Sequence, residues 1–200
     1  MIIHNVEQGT PEWRELRKFK MTASNAQAIG NVGKGLETYI LDMLAESFSN
    51  GDEEQYTNPH MERGNELEDQ ARKIYQLETG RRVEQVGFVE YSQYAGCSPD
   101  GLIGEEGGLE IKCPANKKYF RVMLNGLKDV EMSYIWQVQM NMLITGREWW
   151  DLVYYNPNFK KPMLVFRITP DENMRSGILS GLEVGERRIK SIINQLPNGK

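Results

Sequence analysis

The chain has 200 residues, 40% hydrophobic and 26% charged, enough for one domain with a sizeable core. A net charge of −4 argues against a generic nucleic-acid-coating protein, and the two cysteines and two histidines lack zinc-site spacing. No apolar run approaches membrane-spanning length and the N-terminus lacks a signal-peptide core, so a cytoplasmic protein is expected.

In chain order, Thr10-Pro11-Glu12 reads as a helix start, with a capping Thr and Pro at the first helical position. Trp13 and Leu16 mark its inner side, and Arg17, four residues after Trp13, lies on roughly the same side. Arg17 alone reads as a surface helix charge; Thr22-Ala23-Ser24-Asn25 opens a second short helix, whose N-terminus attracts phosphate, so Arg17 with Ser24 is a candidate phosphate pocket. Residues 30–35 form a Gly-rich loop without nucleotide-binding spacing. Residues 36–48 are helical by period, and 49–59 form a polar, acidic loop. A helix over 61–79 ends at Gly80. It carries Leu67, Ala71, Ile74 and Tyr75 on one face, with Glu68 at the edge, which spacing alone reads as solvated. Residues 81–91 read as a strand.

The densest chemistry follows. Cys97-Ser98-Pro99-Asp100-Gly101 precedes Gly108-Leu109-Glu110-Ile111-Lys112-Cys113-Pro114, with a Gly-rich run from 104 to 108 between them. Alternation over 109–113 predicts a strand that puts Glu110 and Lys112 on one face, and the Gly run predicts a hairpin that returns the chain toward Asp100. Two carboxylates and one ammonium then meet. Such a set binds Mg²⁺ through oxygen, and Lys112 can position or deprotonate water or stabilise phosphate charge. The bland alternative is a solvent-facing salt-bridged strand.

A basic helix is expected over 115–127, and Lys112, Lys117, Lys118, Arg121 and Lys128 occur in a stretch without an acid. A helix over 133–145 carries Tyr134, Gln137 and Asn141 as a polar stripe, read from spacing alone as interhelical hydrogen bonding. Strands at 151–155 and 163–169 and a helix over 171–196 complete the chain. No internal repeat or low-complexity segment is present.

The Pro99-Asp100 and Glu110-Ile111-Lys112 motifs resemble those of the phage lambda exonuclease family. These are the YqaJ-type viral recombinase nucleases of the PD-(D/E)xK, restriction-endonuclease-like superfamily. Trp13-x-x-x-Arg17, Thr22-Ala23-Ser24, Gly64-x-x-x-Glu68-x-x-Ala71-Arg72 and Tyr134-x-x-Gln137-Val138-Gln139 match in order, so the resemblance spans about residues 7–169.

The resemblance implies an α/β restriction-endonuclease-like core, with a mixed central sheet of about five strands flanked by helices. It implies one domain: helices in 1–60 that serve a 5′-phosphate pocket, a catalytic core over 61–170, and a C-terminal helix and tail over 171–200. The implied activity is Mg²⁺-dependent 5′→3′ exonuclease action on double-stranded DNA, releasing mononucleotides and leaving a 3′ single strand for annealing-type phage recombination. Two Mg²⁺ per site are implied, with Mn²⁺ a substitute. Asp100, Glu110 and the Ile111 carbonyl would hold metal, with Glu68 acting through water. Lys112 would activate water, and Gln137 and Tyr134 would border the site. Arg17, Ser24, Ser98 and Lys118 would receive the 5′-phosphate, Lys118 standing where the family has Arg. Met61 falls where the family wedges the terminal base pair apart. Implied partners are duplex DNA ends, a single-strand annealing protein, and two further copies in a ring-shaped homotrimer. Retention gives the ring a physical motive, since an acidic chain holds DNA poorly by bulk charge. Two alternatives stay open: another PD-(D/E)xK nuclease, structure-specific or single-strand-preferring, and a non-catalytic DNA-end-binding module.

Overall fold

Thr10 caps the first helix as its spacing predicts: its side-chain oxygen accepts the Trp13 N–H at 3.3 Å, and Pro11 needs no partner for a missing N–H. This helix, α1, spans Pro11–Arg17. The computed structural model describes residues 1–49 and 59–196, with the side chains of 59–66 outside the description. The expected acidic loop and the terminal four residues therefore fall almost wholly outside the described residues.

A 3₁₀ turn at Ala23–Asn25 leads into α2 (Ala26–Asn31), and α3 is Lys34–Phe48. The expected Gly-rich loop is thus largely helical, because Gly30 lies inside α2 and packs beneath Trp136. Next come α4 (Pro59–Thr79), α5 (Asn116–Asn125), α6 (Met132–Thr145) and α7 (Glu172–Gln195). Gly80 and Gly146 end α4 and α6 with φ of +68°, a conformation that suits Gly at a helix C-terminus.

Among the described residues the strands divide into two mixed sheets of four, where the sequence suggested one of about five. The first, in order β1-β3-β4-β2, contains β1 (Ile2–His4), β2 (Met21–Thr22), β3 (Phe88–Ser92) and β4 (Ala95–Cys97). The second, in order β5-β6-β7-β8, contains β5 (Gly101–Ile103), β6 (Gly107–Lys112), β7 (Trp149–Tyr155) and β8 (Met163–Ile168). Pairing of β6 with β7 is parallel, and β5 and β8 run antiparallel at the edges. The strand expected over 81–91 is broken. Glu84 forms an isolated bridge to Leu102, while Gly87 turns to the His4 carbonyl, pressed so close to Val6 that a side chain would not fit.

The Gly run between Asp100 and Glu110 does two jobs. Gly104 supplies the turn with φ of +54°. Gly107 and Gly108 belong to β6, where a Cβ on either would lie within 2.3 Å of Trp149 or Trp150. The indoles occupy the space where side chains would otherwise stand.

The second sheet is packed on both faces. Ala71 and Tyr75 of α4 lie with Leu109, Ile111, Val153 and Tyr155, on the face predicted from helical spacing. Val138, Met140 and Ile144 of α6 share a larger cluster with Trp150, Leu152 and Tyr154. Each fully buried aliphatic side chain here stabilises the fold by about 1.5–3 kcal/mol relative to exposure. Helix α7 packs against α2, where Gly181 approaches the Ile29 carbonyl so closely that a Cβ would stand 2.0 Å from the oxygen. No helix among the described residues is long and apolar enough to cross a membrane.

Candidate active site

Hairpin pairing decides where the carboxylates meet. Gly101 is opposite Leu109, so Asp100 and Glu110, the neighbours of that pair, are brought together at the open end of β5. Asp100 is locked there: its Oδ2 accepts the Ile111 N–H at 2.6 Å. A strand residue presents its N–H and C=O to the same edge, so the Ile111 carbonyl also turns toward Asp100, past the last β5 pair.

Glu110 is 1% exposed. Its Oε1 accepts from Lys112 Nζ at 2.7 Å and from Gln137 Nε2 at 2.6 Å, and its Oε2 accepts from Asn141 Nδ2 at 3.2 Å. A carboxylate this buried is tolerable only when paired and hydrogen-bonded. Two members of the α6 stripe, Gln137 and Asn141, are therefore donors to Glu110, where spacing alone suggested contacts between helices. Lys112 also sits 4.6 Å over the Tyr134 ring.

Glu68 reaches the site from α4 through an ion pair with Arg72, whose Nε donates to the main-chain oxygen of Asp100 at 3.2 Å. Spacing alone read Glu68 as solvated; the side chain is instead half-buried and paired with Arg72.

The charges are frustrated. Burial holds the Asp100 carboxyl well above its ordinary range, and the fields of Glu110 and Glu68 push it further. Burial also raises Glu68, with Arg72 opposing and Glu110 adding. Burial alone would lower the Lys112 ammonium, but Glu110 and Asp100 outweigh it, and it stays above its ordinary value as a firm cation. A divalent cation would relieve this excess of carboxylate. Among the described residues no group of three or more His, Cys, Asp and Glu converges as a ready-made metal cluster. The donors on hand are two carboxylates and one carbonyl. That all-oxygen set fits Mg²⁺, which keeps several waters and uses few protein ligands.

Of the residues assigned to the phosphate pocket, Arg17 and Ser98 touch, with Nη1 to Oγ at 3.1 Å. Trp13 organises the pair: its ring lies 4.2 Å beneath the guanidinium, and its Nε1 donates to Ser98 Oγ at 2.9 Å. Ser98 stands two residues before Asp100, so this pair adjoins the carboxylates. Ser24 connects through Thr22, 3.2 Å away, whose N–H meets the Tyr39 hydroxyl. Ser24 also lines a cleft of about 580 Å³ with Gln27, Asn31, Lys34 and Ser133. Lys118 is on the other side of the site, paired with Glu131 and 3.4 Å from the Tyr134 hydroxyl. Of the four residues, Arg17 and Ser98 are bonded to each other, Ser24 bonds Thr22, and Lys118 stands beside Tyr134. The side chain of Met61 lies outside the described residues.

Residues 12–148 match the family model of the YqaJ-like viral recombinase domain. The chain belongs to the YqaJ-like viral recombinase family. This YqaJ-like chain is similar over nearly its full length to the alkaline exonuclease LHK-Exo from Laribacter hongkongensis, at 30% identity and a TM-score of 0.83, covering 92% of this chain and 95% of that one. The same values hold for LHK-Exo in complex with dAMP. A phage-related exonuclease from Haemophilus somnus 129PT, at 13% identity and a TM-score of 0.70 over 88% of this chain and 96% of that one, shares the fold. No curated protein matches in sequence.

In this YqaJ-like site, sequence reasoning did not find the roles of Asn141, Arg72 and Trp13. Asn141 was visible as the third member of the stripe, but its spacing does not reveal that it faces a carboxylate. Arg72 follows Glu68 at i+4, the ordinary ion-pair interval, and nothing in that interval points to the Asp100 carbonyl.

Proposed function

We propose that the chain is a Mg²⁺-dependent 5′→3′ exonuclease that digests one strand of linear double-stranded DNA to mononucleotides, acting in the cytoplasm. The 3′ single strand left behind would serve annealing-type phage recombination. The observation that carries this reading is the meeting of Asp100, Glu110 and Lys112 at one hairpin end, with Glu110 buried and anchored by α6. The similarity to LHK-Exo, an alkaline exonuclease, and the complex of that protein with dAMP, a mononucleotide, support both reaction and product.

Asp100, Glu110 and the Ile111 carbonyl would hold the cation, with Glu68 reaching it through water; two ions fit this reading, and Mn²⁺ would substitute. When bound, the cation lowers the pKa of water and neutralises charge on the scissile phosphate. Lys112, a firm cation in this fold, orients the attacking water and donates to developing negative charge. Gln137 and Asn141 keep Glu110 from rotating away, and Tyr134 confines the Lys112 ammonium. Arg17, Ser24 and Ser98 would seat the 5′-phosphate, with Lys118 approaching from the Tyr134 side and Met61 wedging the terminal pair. A homotrimer ring would keep the enzyme on DNA, and a single-strand annealing protein would take up the exposed strand.

Duplexes labelled at the 5′ or the 3′ end, with and without a 5′-phosphate, test the reading. Label should leave as mononucleotide first from the phosphorylated 5′ end, and circular duplex should stay intact. Release from the 3′ end, or cutting of the circle, overturns it.

A further inference from the structure

Arg72 is a charged side chain only 7% exposed, and the chemistry above gives it no task. Its nitrogens reach three acceptors. Nη2 meets Glu68 Oε1 one helical turn back, Nη1 meets Asp69 Oδ1, and Nε donates to the Asp100 main-chain oxygen at 3.2 Å. The last contact crosses from α4 to the turn between β4 and β5. Stability alone explains this poorly, since a well-packed apolar side chain joins helix to sheet at least as well as a buried charge. Geometry explains it better. A guanidinium is a rigid planar fork, so acceptors bonded to its different nitrogens are fixed relative to one another. The Asp100 peptide is thereby held on one side by Arg72, while its carboxylate is held on the other by the Ile111 N–H.

We propose that Arg72 is a positioning residue that fixes the Glu68 carboxylate relative to Asp100, so that carboxylates from α4 and from the hairpin present one preset oxygen site to a divalent cation. The inference rests on the nuclease reading above. It assigns Arg72 no contact with DNA and no proton transfer. Asp69 shares the same guanidinium but is 69% exposed, and serves as an internal control.

The test is Mn²⁺ binding to the full chain without DNA, followed by electron paramagnetic resonance of free Mn²⁺. It compares wild type, Asp100→Asn, Arg72→Gln, Arg72→Lys and Asp69→Asn, with thermal unfolding of each. Arg72→Lys keeps the charge but loses the fork. It should fold with a near-wild-type Tm and bind Mn²⁺ about tenfold or more weakly, the size of effect seen when a metal ligand loses its support. Asp69→Asn should bind as wild type. Wild-type Mn²⁺ affinity in Arg72→Lys, whether or not its Tm falls, overturns the inference, because a merely structural Arg72 predicts that result. If Arg72→Gln fails to fold, Arg72→Lys decides. Equal binding by wild type and Asp100→Asn would instead overturn the reading of the site as cation-holding, and the inference with it.

Discussion

Gln137 Nε2 donates to Glu110 Oε1 at 2.6 Å, on the same oxygen that receives Lys112 Nζ. Gln137 thus supports a carboxylate that has almost no access to solvent. Gln137→Ala leaves that oxygen one donor short inside the protein, at a cost of about 1–3 kcal/mol in stability. Activity should fall by roughly 10–100-fold, the usual consequence of removing a ligand's support. Thermal unfolding and kcat for duplex digestion check the two effects separately; unchanged kcat would remove Gln137 from the site.

In the proposed reading Asp100, Glu110 and Lys112 act on one phosphate, so their losses should not add. Each single Ala variant should lose nearly all cleavage, and the triple variant should be little worse than any of them. Single-turnover digestion with DNA-end binding measured in Ca²⁺ separates chemistry from binding. Near-wild-type cleavage by Lys112→Ala would show the catalytic assignment to be wrong.

The raised Asp100 carboxyl has a stability consequence with a definite sign. A carboxyl whose folded value lies above its unfolded one holds more protons folded than unfolded, so the metal-free fold loses stability as pH rises through that window. Asp100→Asn cannot ionise and can still accept the Ile111 N–H. Without divalent cations its Tm should exceed that of wild type at pH 8, and the gap should close as pH falls below the ordinary Asp value. A gap that widens in acid would contradict the electrostatic picture.

Arg17 and Ser98, bonded to each other, would offer a charge-assisted contact to the 5′-phosphate that the proposed function places there. Such bonds are worth about 1.5–3 kcal/mol, roughly 10–100-fold in rate. Arg17→Ala should therefore erase most of the preference for phosphorylated over hydroxyl ends while digesting hydroxyl ends about as well as wild type. Paired rate measurements on the two ends decide the matter.

Gly108 is a demanding position beside the site, because Trp150 fills the space next to it. Gly108→Ala would place a Cβ 2.3 Å from the indole, forcing a fully buried ring to move. Overpacking of this kind costs about 1–3 kcal/mol. Urea unfolding should show a lower midpoint at unchanged slope.

Periodicity and turn chemistry made much of this legible. Leu67, Ala71, Ile74 and Tyr75 fall on the predicted inner face of α4, and Glu110 and Lys112 share a face and a bond as a period of two requires. Short strands such as Met21–Thr22 and Ala95–Cys97 were not legible, since so few residues show no alternation; long-range pairing defines them. Gly107 and Gly108 looked like loop because Gly usually marks turns, while the indoles that require them lie some forty residues on, at 149 and 150. Asn141 and Arg72 have their roles in partners far along the chain, Glu110 and the Asp100 carbonyl, which spacing does not record.

The close approach of α7 to α2 gives the end of the chain a division of labour. Gly181 lets the C-terminal helix lie against the Ile29 carbonyl, and α2 continues the turn that carries Ser24. The last helix therefore buttresses the element that carries Ser24, which in the proposed function receives a DNA end, and not the hairpin that carries Asp100 and Glu110. Changes along α7 would alter which ends are accepted before they alter how fast an accepted end is cut, so end selection could diverge among relatives while the hairpin stayed the same.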